Sequence, residues 1–125
     1  MSAPSTSAAA YRQTTVMTAS PAQLVVMLYD GAGRFLAQAA AAMRVQQPAA
    51  ATARLRRAQD ILLELLGTLD HERGGEIAVQ LQTLYAFCLD ELVTATTTQD
   101  ADQVDAVAGL LAELRGSWAE LAATA

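Results

Sequence analysis

Few side chains in this sequence could do chemistry, and each lacks the partners that chemistry needs. His71 is the single histidine. With Glu72 it begins a zinc-protease motif whose second histidine is missing, and no Glu-x-x-His pair exists to build a di-iron site. A lone histidine without such partners reads as a solvated loop residue. Cys88, the single cysteine, falls on an apolar stripe with no basic neighbour to favour its thiolate, so it reads as a packed core thiol and not a nucleophile. Gly74-Gly75 lacks the spacing of a phosphate-binding loop and has no strand leading into it; it reads as a break where the chain turns and restarts. The carboxylate pairs Asp90-Glu91 and Glu72/Glu76 fit solvated helix faces or ends, with no cleft implied around them. Hence no catalytic, metal or cofactor residue is assigned, and no enzyme is expected.

Bulk properties narrow the remaining classes. The 125 residues suit one domain with a single core. The apolar share of 53% and a mean hydropathy of +0.23 are high, and alanine supplies much of both. The net charge is −5 and every basic residue is arginine. Such a chain repels nucleic acid and anionic membranes over most of its surface. The short cluster Arg54, Arg56 and Arg57 has no interleaved aromatics for base stacking. One cysteine makes no internal disulfide, the start MSAPSTSAAAYRQ lacks a signal-peptide pattern, and no apolar run reaches the roughly 20 residues of a membrane span. The expectation is a cytoplasmic protein that neither binds nucleic acid nor inserts in a membrane.

The elements that position these residues read as helices. Residues 1–19 are rich in Ser, Thr and Ala and form an expected flexible N-terminal arm, interrupted by the apolar Tyr11, Val16 and Met17. Ser20-Pro21-Ala22-Gln23 spells a capping box with proline at the first helical position. The first helix then runs to about Met43 or Val45, before Gln46-Gln47-Pro48. A second is expected over 48–69, a third over 76–95 and a fourth from the Asp100/Gln103 cap to about Leu121. No alternating strand pattern is present. Four helices with short connections predict an all-α fold, an antiparallel four-helix bundle over residues 20–122.

The apolar faces are wider than a bundle core needs. On the first helix one stripe holds Leu24, Met27, Leu28, Gly31, Phe35 and Ala39; a second holds Val25, Tyr29, Ala32, Leu36 and Met43. Together they cover about 200° of arc, where a little over 100° suffices. Leu63, Phe87, Leu110 and Leu121 likewise stand beside or outside the core stripes of their helices. This surplus has two readings, a homodimer face or a groove for a partner's helix.

Tyr11-x-x-x-x-Val16-x-Thr18-Ala19-Ser20-Pro21 followed by Leu24 and Met27-Leu28-Tyr29-Asp30-Gly31 resembles the family of flagellar export chaperones that guard flagellin. The likeness continues through Phe35-Leu36, Ala58-Gln59, Leu65, Leu69-Asp70, Gly74-Gly75-Glu76-Ile77-Ala78 and Leu84-Tyr85, and closes with Leu110-Leu111, Leu114-Arg115 and Trp118. It spans nearly the whole chain. It implies a cytoplasmic chaperone that binds the disordered C-terminal segment of flagellin, prevents premature polymerisation and presents the cargo to the export-gate protein of the secretion apparatus. The residues a core explains least well, Tyr11, Val16, Met17, Val25, Leu63, Phe87, Leu110 and Leu121, are the expected partner contacts. Gly31 is expected to permit close helix approach, Tyr29 and Tyr85 to tie their hydroxyls into the bundle, and Asp30 to face water rather than an arginine. The rival is a helical adaptor or homodimer without flagellin cargo.

Overall fold

A computed structural model describes residues 20–124, which form four helices: α1 (Pro21–Arg44), α2 (Pro48–Gly67), α3 (His71–Thr98) and α4 (Ala101–Thr124). The expected arm over 1–19, with Tyr11, Val16 and Met17, lies outside the described residues. The capping box forms as read: Ser20 Oγ accepts from Gln23 N at 3.2 Å, and Ser20 N donates to Gln23 Oε1 at 2.8 Å. Connections of three or fewer residues reverse the chain each time, so consecutive helices are antiparallel. Both α1 and α3 pack against α2 and α4, which leaves α1 and α3 across the diagonal.

Of the two stripes expected on α1, the one carrying Tyr29, Ala32, Leu36 and Met43 is the core stripe, while Leu24 and Met27 of the other remain exposed. Leu36 meets Leu55, Leu62 and Leu65 of α2, Tyr85, Cys88 and Leu92 of α3, and Val104, Val107 and Leu111 of α4 in one buried cluster. Each large side chain so buried contributes about 1.5–3 kcal/mol. The abundant alanine has a role in this cluster: Ala32, Ala39, Ala51, Ala58 and Ala95 are fully buried. Small interior residues bring backbones together, and α1 packs far more closely on α2 and α4 than α3 does. At Gly31 the approach is close, since a β-carbon there would stand 3.1 Å from Ile61 Cδ1.

Three helix ends carry detail beyond the expectation. A helical turn precedes Gly74-Gly75, where Asp70 Oδ1 accepts from Glu72 N and Arg73 N, both at 3.1 Å, and the non-helical Gly75 separates it from the long helix that follows, as the sequence predicts. The chain then kinks at Gly75, whose φ of 50° and ψ of −122° suit glycine alone. The Thr96–Thr98 turn is still helical, with Thr96 Oγ1 donating to Leu92 O, and the helix stops only at the left-handed Gln99. At α4, Asp100 Oδ1 accepts from Asp102 N at 3.0 Å, but the Gln103 side chain does not return to it. Gln103 Nε2 instead reaches Glu91 Oε1 of α3 at 3.4 Å.

Candidate functional site

Because the helices alternate in direction, the start of α1, the end of α2, the start of α3 and the end of α4 share one end of the bundle. There the apolar stripes diverge around an open cavity of about 610 Å³. Leu24, Val25 and Leu28 line it from α1, Ile77 and Leu81 from α3, and Trp118 and Leu121 from α4. Leu69, from the α2–α3 connection, lines it as well. Ile77 continues the core stripe of α3, yet it is 67% exposed, because it follows the Gly75 kink and has no opposing layer. A smaller cavity of about 390 Å³ lies beside the first, between Val26 and Met27 of α1 and Ala119, Ala122 and Ala123 of α4.

One turn below the cavity the bundle becomes closed. Tyr29 follows Val25 by one turn of α1, Tyr85 follows Leu81 by one turn of α3, and both are buried. Their hydroxyls share a hydrogen bond across the diagonal of the bundle, with ring centroids 6.4 Å apart. Burial, joined by the bond to Tyr85, raises the pKa of Tyr29 far above the phenol range; burial raises that of Tyr85 also. Cys88 is buried as expected and its thiol is pushed up to about 11, first by burial and then by Glu91. A thiol so protonated at neutral pH is no nucleophile. Asp30 does not face water alone: Arg115 of α4 donates to it through Nε at 2.7 Å and Nη2 at 3.4 Å. Arg44 makes a second clamp between α1 and α4, donating to Asp102 at 3.1 Å and Asp105 at 2.6 Å.

The expected contact residues are divided by this geometry. Val25 and Leu121 meet in the cavity. Phe87 is exposed and Leu110 is half-buried against the core. Both lie along the α3/α4 seam: Phe87 is one turn before Glu91, and Leu110 two turns after its partner Gln103. Leu121 is three turns beyond Leu110 on the same flank of α4, and of the two only Leu121 lines the cavity. Leu63 is exposed on α2, away from both. Leu69, Leu81 and Trp118, on the apolar stripes of their helices, pack against the core and line the cavity as well, as does Leu28; Leu24 and Ile77 line it from exposed positions. Helical projection gives angle but not height, so residues at the end of a stripe look the same as residues at its middle. The signal available was their common position at one end of an antiparallel bundle.

Among the described residues no group of three or more His, Cys, Asp or Glu side chains could hold a metal ion, and no helix is long and apolar enough to cross a membrane. The arrangement offers apolar surface and shape and no reactive group.

The model of the family described as "Flagellar protein FliS" matches residues 4–125. The chain is 36% identical to the flagellar secretion chaperone FliS of Salmonella typhimurium over 110 residues, which cover 87% of this chain and 82% of that one. It is 34% identical to the FliS of Campylobacter jejuni, with 90% and 88% covered. With the flagellar secretion chaperone FliSB of Pseudomonas aeruginosa it shares 37% identity over 82% of each chain.

Proposed function

The chain belongs to the FliS family of flagellar secretion chaperones, and from that membership we propose that it acts in the cytoplasm on the disordered C-terminal segment of flagellin. Holding that segment keeps flagellin from polymerising prematurely, and the complex is delivered to the export gate of the flagellar secretion apparatus. It is a chaperone and not an enzyme.

The observation that carries the reading is the apolar cavity at the end of the bundle. A cargo helix fits such a surface through an i, i+3/i+4, i+7 row of apolar anchors. Completing the burial of a half-exposed Leu, Ile or Trp yields about 1 kcal/mol apiece. Ordering the disordered cargo costs about 2–5 kcal/mol or more. The cavity alone therefore binds weakly, and tight binding requires the cargo to continue along the seam over Phe87 and Leu110. Val25 and Leu121 are the cavity contacts in this reading.

Titration calorimetry of the full chain with the C-terminal segment of flagellin tests the reading. A one-to-one complex with favourable enthalpy and a negative heat-capacity change is expected. Absence of heat at several temperatures, with separate elution on sizing, would transfer the function to the adaptor reading. A mass that rises with concentration in the absence of cargo would specify a homodimer.

A further inference from the structure

Charge is divided between the two halves of the bundle. Helices α1 and α2 carry five arginines against three carboxylates, whereas α3 and α4 with their caps Asp70 and Asp100 carry two arginines against ten carboxylates. Among the described residues the ion pairs engage only Arg44, Arg73 and Arg115. Arg34, Arg54, Arg56 and Arg57 have no carboxylate partner, and residues 1–19 contain no acidic side chain to supply one. On the same two helices Asp30 is taken by Arg115, while Asp60 and Glu64 stand one and two turns beyond Arg57 without closing on it.

Two of these four cations lie on the outer seam between α1 and α2, and a third is one helical turn away. Arg57 of α2 lies over the Phe35 ring of α1, 5.6 Å from its centroid. The guanidinium of Arg34 folds back over Gly31 beside Ile61, with Nη2 3.8 Å from where a β-carbon on Gly31 would stand. Arg54 precedes Arg57 by one turn of α2. Stacking on Phe35 holds the face of Arg57 and leaves its N–H edge for a bidentate acceptor.

We infer that the α1/α2 face is a docking surface for an acidic protein segment, a helix presenting carboxylates at i, i+3/i+4 and i+7 to Arg34, Arg54 and Arg57. Charge complementarity selects that occupant. A guanidinium fork matches a carboxylate in two parallel hydrogen bonds, and a helical row of acids repeats at the spacing of Arg54 and Arg57. Nucleic acid fits less well, because the ten carboxylates on the other half and a net charge of −5 oppose a long polyanion. A second copy could offer its acidic α3/α4 half, but basic face to acidic face is a heterologous contact, which builds rings or open filaments and not a two-fold dimer. The surface is opposite the α3/α4 seam and does not depend on what occupies the cavity.

The test follows the arginine side-chain N–H signals of the labelled full chain by NMR. The probes are an Ala/Gln helical peptide carrying glutamate at i, i+4 and i+7, and a single-stranded oligonucleotide of equal charge. The peptide is expected to shift Arg34, Arg54 and Arg57 and to leave Arg44 and Arg115 in place. The Arg34→Gln/Arg54→Gln/Arg57→Gln variant, with an unchanged melting curve, is expected to lose about tenfold or more in peptide affinity. Unshifted arginine signals would overturn the inference, as would an oligonucleotide effect as large as the peptide's. So would a mass that rises with protein concentration at low salt and is reduced by the same substitutions.

Discussion

Tyr29 and Tyr85 show how much depends on a pair rather than on either member. Both hydroxyls are buried, and each is the other's hydrogen-bond partner; no buried side-chain oxygen or nitrogen among the described residues lacks one. Removing one hydroxyl leaves the other desolvated and unpaired, whereas removing both leaves two apolar rings already in contact. Tyr29→Phe or Tyr85→Phe is therefore expected to cost about 1–3 kcal/mol, and the double variant less than the sum of the two. Urea denaturation of the three variants measures this; additive losses would show that the hydroxyls act separately. That both tyrosines are tied into the bundle was legible in the sequence, because each sits on an apolar stripe where a phenol needs a partner. The Asp30–Arg115 clamp was not, because nothing local links two residues 85 positions apart.

At the scale of the element, glycine position decides the sign of a substitution. The α3 kink depends on Gly75, whose φ of 50° an L residue adopts only with strain, although the space beside it is open. Gly75→Ala is expected to destabilise by about 1–3 kcal/mol. Gly116 is in the helical interior of α4 with nothing within 4 Å of an added β-carbon. Gly116→Ala is expected to stabilise by about 0.4–1 kcal/mol through the unfolded chain. Thermal melts of the two variants should move in opposite directions, and a shift of both the same way would refute the assignment of strain to Gly75. The sequence marked Gly74-Gly75 as the break before the third helix, and the non-helical Gly75 agrees with it; the extra helical turn ahead of the break was not legible. The deciding contacts are the two amides that Asp70 caps ahead of it.

For the whole molecule, the fold was readable because period and caps agree on four helices, whereas the site required the third dimension. Leu63 and Leu121 illustrate the difference. Both looked like surplus apolar residues, and both are a little over half exposed, at 56% and 52%. Yet Leu121 lines the cavity and Leu63 is outside it. Ile77 looked like core and is the more exposed of the cavity's walls. If cargo occupies the cavity, Leu121→Ser and Ile77→Ser each remove a side chain that becomes buried only in the complex. Each is then expected to cost about 1–2 kcal/mol of binding, which is roughly a five- to thirtyfold weaker Kd for the flagellin segment. Leu63→Ser, with the same loss of apolar surface and comparable exposure, is expected to leave Kd within about twofold. None of the three substitutions should lower the melting temperature by much, because none removes a buried core contact. Calorimetric titration of the three variants separates the possibilities. Loss at Leu121 and Ile77 alone places the cargo at the end of the bundle. Loss at Leu63 alone would place it on the outer flank of α2 and remove the cavity from the chaperone's mechanism.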